Sequence, residues 1–262
     1  MTEIVKLTRR ACLGLAAVAA GSGHSAAQGT TGVSVAAAAD LRQALDEIAS
    51  RFGQAGGGKV RMTYGSSGNL ARQIGQGAPF ELFMSADEAL TEKLIASGDA
   101  EGPGAIYGIG RLVVVARSDS PIEAERGLPG LLEAVAGNRL ARFAIANPEH
   151  APYGARAKQA LEKSGLWASF RDRLVLAENV AQAAQYVVTG AAGAGITALA
   201  LVKTGPAAAV LRVGLVPAEL HTPLRQRMVL TKRASPAARD FYAFVASAEA
   251  QVILRTNGFE QQ

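Results

Sequence analysis

Four short segments of the chain combine small and polar residues with few cations, where a strand-like run gives way to a helix-like one. Their sequences are AAAD at 37–40, GSSGN at 65–69, HAPYG at 150–154 and ENV at 178–180. The first turn of a helix leaves backbone N–H groups without acceptors, and the helix dipole adds partial positive charge there. Small residues let an anion approach these N–H groups, and the hydroxyls of Ser66 and Ser67 add donors. Four such segments meeting in one cleft would surround a small tetrahedral anion.

Each segment also has a purely structural interpretation, which the spacing leaves open. Asp40 and Asn179 belong to the residue types that cap helix N-termini. The run Ser66-Ser67-Gly68 fits ordinary turn chemistry. The case for a binding site therefore depends on the four segments acting together at the carboxyl ends of strands, where open α/β sheets bind ligands.

The elements that must position these segments alternate between strand-like and helix-like runs, which predicts an α/β architecture with largely parallel sheets. The predicted strands are residues 33–37, 60–64, 81–85, 111–116, 143–146, 174–177, 195–197 and 228–231. The predicted helices are residues 41–52, 69–76, 88–97, 131–136, 156–164, 180–188, 236–246 and 249–256. No solenoid repeat or long linker is visible, so two lobes would have to be joined by strands. The runs 111–116 and 228–231 are the best placed to join them.

Residues 1–27 have the features of a cleavable export signal. A basic head at 6–10 is followed by an apolar stretch at 11–20 and by the small residues Ser-Ala-Ala at 25–27. The pair Arg9-Arg10 leaves a twin-arginine (Tat) route open beside the general secretory (Sec) route. The single cysteine, Cys12, lies inside this segment, so the mature chain would contain no disulfide and no thiol site. We therefore expect a signal peptide at 1–27 and a periplasmic mature protein.

Composition and charge argue against several functions. The formal net charge is +5 and Lys and Arg form no dense run, which argues against nucleic-acid binding. The mature histidines, His150 and His221, share no metal-ligand or catalytic-triad spacing, and each is expected to be a surface or packing residue. The GSSGN run only approaches the nucleophile-elbow pattern. We therefore expect a binding protein rather than an enzyme, with no bound metal cation.

The residue types at the four segments also narrow the ligand class. Sugar sites commonly stack rings on aromatic side chains, but aromatic residues make up 5% of this chain, with one tryptophan. Amino-acid and carboxylate sites generally use an arginine fork. None of the four segments contains an arginine, and the best candidate, Arg72, lies a turn into its helix. A compact inorganic anion is therefore favoured. A sensor or regulator with the same fold and no transporter stays open as an alternative.

Several motifs resemble those of the periplasmic molybdate-binding proteins, from about residue 33 to residue 259. They are VAAAADL (35–41), YGSSGNLARQIGQGAPFELFMSAD (64–87), RLVVVA (111–116), NPEHAPYG (147–154), AENVAQA (177–183) and LRTNGF (254–259). The resemblance implies a two-lobed, type II periplasmic-binding-protein fold with two hinge strands, a ligand cleft between the lobes and no cofactor. Lobe 1 would comprise residues 28–113 and 224–262, and lobe 2 residues 114–223. It also implies a monomer that delivers molybdate or tungstate to the permease of an ABC importer.

The resemblance implies that the family's ligand contacts fall at positions in the four segments and at Ala198. Val180 would act through its backbone N–H. The predicted oxyanion site comprises Ala39, Asp40, Ser66, Ser67, Tyr153 and Val180. Three positions depart from the familiar pattern: Asp40 replaces a serine, Tyr153 an alanine and Ala198 a tyrosine.

These departures lead to two hypotheses. The Tyr153 phenol would replace the hydroxyl missing at Ala198. The Asp40 side chain would turn away to cap the helix that begins at Leu41, leaving its N–H for the ligand. Alternatively, Asp40 would accept a proton from a protonated oxyanion such as monohydrogen phosphate or arsenate.

Overall fold

The computed structural model of the protein describes residues 32–261, so the predicted signal peptide at 1–27 lies outside the described residues. Strands and helices alternate along this range. The strands are β1 (Val33–Ala38), β2 (Val60–Gly65), β3 (Leu82–Ser85), β4 (Ala105–Gly110), β5 (Leu112–Arg117), β6 (Phe143–Ala146), β7 (Leu174–Ala177), β8 (Ala194–Ala198), β9 (Leu211–Leu215) and β10 (Leu224–Leu230). The helices are α1 (Arg42–Gln54), α2 (Ser67–Gly75), α3 (Glu88–Ala96), α4 (Leu128–Ala136), α5 (Pro152–Lys163), α6 (Trp167–Phe170), α7 (Val180–Val188), α8 (Gly205–Val210), α9 (Pro236–Val245) and α10 (Ala248–Thr256).

The strands form two five-stranded sheets, in the orders β2-β1-β3-β10-β4 and β7-β6-β8-β5-β9. In the first sheet β10 runs antiparallel to both of its neighbours, and β1 is parallel to β2 and β3. In the second sheet β5 runs antiparallel to both of its neighbours, and β6 is parallel to β7 and β8. Each lobe is therefore a largely parallel sheet with one antiparallel strand, as the α/β prediction required.

The chain passes between the two sheets twice. It leaves the first sheet at the end of β4, Gly110, and enters the second sheet with β5 at Leu112. It leaves the second sheet after β9 and re-enters the first at Leu224. The run 228–231 was expected to join the lobes, but it lies mostly within β10, where Leu230 pairs with Leu82 of β3. The return connection therefore comes earlier in the chain than predicted.

The central strands are buried on both faces, which explains their continuous apolar sequences. In β1, Val35 to Ala37 have no exposed surface, and the same holds for Leu112 to Ala116 of β5. The helices pack their apolar stripes on the sheets; α1, for example, buries Leu45 and Ile48 completely. Each such side chain contributes about 1.5–3 kcal/mol to folding. The two rigid sheets thereby fix the strand ends from which the predicted site segments continue.

Candidate functional site

The four helix-start segments converge on one cavity between the lobes. Its volume is about 10 Å³, measured as the space open to the centre of a water-sized sphere, which corresponds to about one water molecule. All six residues of the predicted oxyanion site line this cavity. The lining residues are Ala38, Ala39, Asp40, Gly65, Ser66, Ser67 and Ala86 from the first lobe, and Ala151, Pro152, Tyr153 and Val180 from the second.

Ser67 offers two donors at the start of α2. It is the first helical residue after the N-cap Ser66, so its backbone N–H has no acceptor within the helix. Its Oγ accepts a hydrogen bond from the N–H of Ala86 at 3.0 Å. This bond occupies a lone pair and leaves the hydroxyl proton for an acceptor in the cavity. Both the N–H and the O–H of Ser67 can therefore serve an anion.

Ser66 lines the same cavity but is also tied to the opposite lobe. Its Oγ lies 2.9 Å from Nδ1 of His150, and the His150 carbonyl oxygen accepts a hydrogen bond from the N–H of Gly68 at 2.9 Å. Ser66 donates to the imidazole when Nδ1 is unprotonated, and its proton is free for the cavity when Nδ1 is protonated. His150, expected to be a surface or packing residue, thus packs at the contact between the lobes.

Tyr153 reaches the site from the first turn of α5. This helix begins at Pro152, not at residue 156 as predicted, because proline suits the first helical position. The buried phenol of Tyr153 donates to Oδ2 of Asp40 at 2.9 Å. Its single proton is therefore directed to a carboxyl group rather than to a ligand. The hypothesis that this phenol replaces a ligand-binding hydroxyl at Ala198 is not supported by this geometry.

Gly110 provides the space in which the Tyr153 phenol lies. A Cβ atom on Gly110 would be 2.2 Å from the Tyr153 hydroxyl oxygen and 2.5 Å from Nε2 of Gln226. Both distances are too short for real contacts. A residue without a side chain is therefore required at the point where β4 leads towards the second lobe.

Asp40 does not cap the helix, so that hypothesis is wrong. Neither the 3-10 turn Ala39–Leu41 nor α1 has a side-chain capping bond. Instead, Oδ2 of Asp40 accepts hydrogen bonds from Tyr153 and from Nε2 of Gln226, the latter at 2.7 Å. Oδ1 is buried and has no hydrogen-bond partner among the described residues. The carboxyl group faces the space between the lobes because its two donors come from α5 and β10.

Burial raises the pKa of the Asp40 carboxyl to about 6. Hydrogen bonds from Gln226 and Tyr153 lower the pKa, and so, to a smaller extent, do the nearby N–H groups of Asp40 and Leu41, which form no capping bond. Two unit charges of the same sign about 4 Å apart repel by about 4 kcal/mol at an effective dielectric constant of 20. An ionised Asp40 would therefore oppose an anion in this cavity.

A polar network that the sequence analysis missed lies behind Asp40. The Tyr107 hydroxyl lies 2.8 Å from Oε1 of Gln226 and 2.9 Å from the carbonyl oxygen of Ser85. Burial raises the pKa of Tyr107 well above 10, so the phenol keeps its proton. Gln226 has a sequence signal: it alternates with the buried Leu224 and Met228 along β10, so its amide must also point inwards.

The fourth segment presents the start of α7. Asn179 is the N-cap, and its side chain accepts a hydrogen bond from the N–H of Gln182 at 3.0 Å, which confirms its predicted capping role. Val180 is the first helical residue, so its N–H has no acceptor within the helix. Its carbonyl oxygen accepts a hydrogen bond from Oγ1 of Thr197 at 2.9 Å. Thr197 lies in β8, whose last residue is Ala198, and Ala198 is not among the described residues that line the cavity.

Several contacts hold the lobes together around the cavity. Arg156 of α5 forms an ion pair with Asp87 of the first lobe at 2.8 Å, and both side chains are largely buried. Asn69 donates to Glu178 across the same gap. Together with the Gly68–His150 bond, these contacts describe a closed conformation.

The electrostatic character of the cavity comes from hydroxyls and helix starts rather than from cations. Among the described residues that line the cavity, Asp40 is the only one with an ionisable side chain other than the Tyr153 phenol. Within residues 32–261 no cluster of histidine, cysteine or acidic residues could hold a metal ion. None of the helices in this part of the chain is long and apolar enough to cross a membrane.

Comparison with known proteins identifies the family of the chain and supports its fold. A family model described as bacterial extracellular solute-binding protein matches residues 33–260. The molybdate-binding protein ModA of Azotobacter vinelandii is 34% identical over 233 residues, covering 88% of this chain and 90% of that protein. ModA of Rhodobacter capsulatus is 33% identical over 264 residues, covering 99% of each.

The solved structure of the Azotobacter vinelandii periplasmic molybdate-binding protein matches with a TM-score of 0.79 at 32% identity, covering 88% of this chain and 99% of that one. These relationships confirm the resemblance noted from the sequence, the two-lobed α/β fold and the prediction of a binding protein rather than an enzyme. The chain belongs to the family of bacterial extracellular solute-binding proteins.

Proposed function

We propose that the protein is exported, captures molybdate or tungstate between its lobes and delivers it to the permease of an ABC importer. The observation that carries this proposal is the small cavity between the lobes, whose lining within residues 32–261 offers uncharged donors and no cation. The names of the Azotobacter vinelandii and Rhodobacter capsulatus relatives support the choice of molybdate. In this proposal the signal peptide is residues 1–27 and the mature protein is a periplasmic monomer.

The donors suit a compact tetrahedral anion. Ser67 contributes an N–H and an O–H, and the starts of α5 and α7 contribute the N–H groups of Tyr153 and Val180. A hydrogen bond to a charged acceptor contributes about 1.5–3 kcal/mol. Four such bonds give about 6–12 kcal/mol, and micromolar affinity corresponds to about 8 kcal/mol. The helix starts can therefore supply the affinity without a cationic side chain.

Capture by closure follows from the contacts between the lobes. A ligand that bridges the helix starts of both lobes binds the closed conformation better than the open one, and so shifts the population towards it. The distance at which the lobes meet then sets the anion size, which would disfavour sulfate. The closed protein is the form that docks on the permease.

A second candidate ligand is a protonated oxyanion such as monohydrogen phosphate. The observation in its favour is the Asp40 carboxyl, which lines the cavity with Oδ1 unpartnered among the described residues. An ionised Oδ1 could accept the proton of such an anion. Molybdate has no proton to offer at neutral pH, so the two candidates assign opposite protonation states to Asp40.

Calorimetric titration of the mature chain, stripped of bound anion, tests the proposal. We expect one-to-one binding of molybdate and tungstate at micromolar affinity or tighter, with sulfate and phosphate at least about 100-fold weaker. A preference for phosphate would keep the site and overturn the ligand. Failure to bind any of the four anions would overturn the anion site itself.

A further inference from the structure

The carboxyl group of Asp40 introduces a titratable acid into an anion site that is otherwise neutral. It is 1% exposed, lines the cavity and has one oxygen, Oδ1, without a partner among the described residues. We propose that the site binds its oxyanion with Asp40 protonated, so that capture of the anion is coupled to the uptake of one proton from solvent. This inference rests on the proposed function and adds a donor to its ligand shell.

The hydrogen-bond network decides which oxygen of Asp40 carries the proton. Oδ2 accepts from the Tyr153 hydroxyl and from Nε2 of Gln226, so both of its lone pairs are used. The Gln226 amide is itself oriented, because its Oε1 faces the Tyr107 hydroxyl. In the neutral acid Oδ2 is therefore the carbonyl oxygen, and the O–H is at Oδ1. A proton on Oδ1 turns this carboxyl from a group that repels an anion into a donor for an anion oxygen.

The protonated acid is readily accessible, since burial raises the pKa of Asp40 to about 6 in the closed structure. About one molecule in ten is then protonated at pH 7. A bound anion favours the neutral carboxyl further, because like charges disfavour ionisation. Above pH 7 the fraction of molecules with a protonated Asp40 falls about tenfold per pH unit. The apparent Kd must therefore rise about tenfold per pH unit.

The other titratable groups near Asp40 do not account for such a dependence. Burial raises the pKa of Tyr107 and Tyr153 well above 10. The charged residues of α1 and β2 are exposed: Arg42, Asp46, Glu47, Arg51 and Arg61.

On α5 and β10 the nearest cations are engaged elsewhere. Arg156 pairs with Asp87, and Arg225 and Arg227 pair with Glu88. Helix α7 and the 3-10 turn Leu199–Leu201 carry no charged side chain.

Among the described residues at the cavity, His150 is the competing group, because its ring contacts Ser66 and an imidazole can take up a proton. Its protonation would also strengthen anion binding. Two variants distinguish these sources of proton uptake. Asp40→Asn abolishes the uptake if Asp40 takes up the proton, and His150→Asn abolishes it if the imidazole does.

The test is calorimetric titration with molybdate between pH 6.5 and 8.5, in buffer pairs that differ in ionisation enthalpy. For the wild-type chain we expect uptake of close to one proton per anion at pH 8 and a roughly tenfold rise in Kd per pH unit above 7. Asp40→Asn places an amide N–H₂ where the Oδ1 hydroxyl would be. We expect it to bind without proton uptake, independently of pH, and about tenfold or more tighter than wild type at pH 8. Glu47→Gln, an exposed carboxyl change on α1, is the matched control and should behave as wild type.

Molybdate binding that is tight, independent of pH and free of proton uptake would overturn the inference and leave the proposed function intact. Proton uptake that persists in Asp40→Asn and disappears in His150→Asn would also overturn it. Failure of molybdate to bind at any pH, with tight phosphate binding and no proton uptake, would instead overturn the proposed function. The wild-type measurement needs no variant, so it stays decisive if a substitution impairs folding.

Discussion

Replacing Gly68 by alanine should hinder closure of the lobes without removing any group that is proposed to bind the anion. Gly68 lies in the first turn of α2, and its N–H donates to the carbonyl oxygen of His150 in the opposite lobe at 2.9 Å. A Cβ atom at this position would be 2.4 Å from the same carbonyl oxygen. Because the obstacle is backbone, the lobes themselves must move apart.

The size of the effect follows from two terms. Loss of the hydrogen bond between the lobes contributes about 0.5–1.5 kcal/mol, and forcing a methyl group into a packed contact contributes about 1–3 kcal/mol. Both act only in the closed form, so Gly68→Ala should weaken molybdate binding by about 1.5–4.5 kcal/mol, roughly 10- to 2000-fold. The folded open form should gain stability, since alanine is favoured over glycine in a helix by about 1 kcal/mol.

Gly75→Ala is the matched control, because Gly75 lies in the same helix with only a side-chain oxygen of Asp99 near its Cβ position, at 3.9 Å. It should share the gain in helix stability and keep wild-type affinity. Calorimetry with molybdate and urea unfolding of the ligand-free proteins measure the two quantities. Unchanged affinity in Gly68→Ala would refute the reasoning that ligand capture requires the closed arrangement described above.

Three further predictions concern the lining of the cavity. Ser67→Ala should weaken molybdate binding about 10- to 150-fold in calorimetry, since it removes one donor to a charged acceptor; an unchanged Kd would exclude the Ser67 hydroxyl from the site. Gly110→Ala should lower the free energy of unfolding by about 1–3 kcal/mol in urea titrations, because its Cβ would displace the Tyr153 phenol; wild-type stability would show that the phenol can move freely. Burial raises the pKa of Asp40 to about 6 in the closed structure, so its ionisation destabilises this closed fold above that pH and has little effect below the usual 3.8. Asp40→Asn should therefore raise the free energy of unfolding by about 3 kcal/mol at pH 8 and by less than about 1 kcal/mol at pH 4; an equal change at both values would contradict this linkage.

Most of the sheet framework could be predicted because its central strands are unbroken apolar runs. Two strands were missed, β4 with the sequence AIYGIG and β9 with LRVGL, since glycine interrupts both. Glycine weakens a strand locally, and here pairing of β4 with β10 and of β9 with β5 determines the structure. That pairing joins segments about a hundred residues apart and leaves no local pattern to read.

The candidate site could be located from local sequence features, whereas its details depend on contacts between residues far apart in the chain. Small residues at helix starts are a local feature, so the segments around Ser67 and Val180 could be identified from the sequence. The orientation of Asp40 depends on Gln226, which lies 186 residues away along the chain. The local sequence around Asp40 favours capping, whereas in the fold hydrogen bonds from Gln226 and Tyr153 hold its carboxyl group.

The central claim is that the starts of α2, α5 and α7, with the segment at Asp40, surround the anion. A crystal structure of the mature protein with tungstate, using the anomalous scattering of tungsten to locate the ion, tests it most directly. We expect one tungsten position in the cavity, with tungstate oxygens at hydrogen-bond distance from the Ser67 hydroxyl and the Val180 N–H. Tungstate held outside this cavity, or held there by a lysine or arginine side chain, would contradict the account.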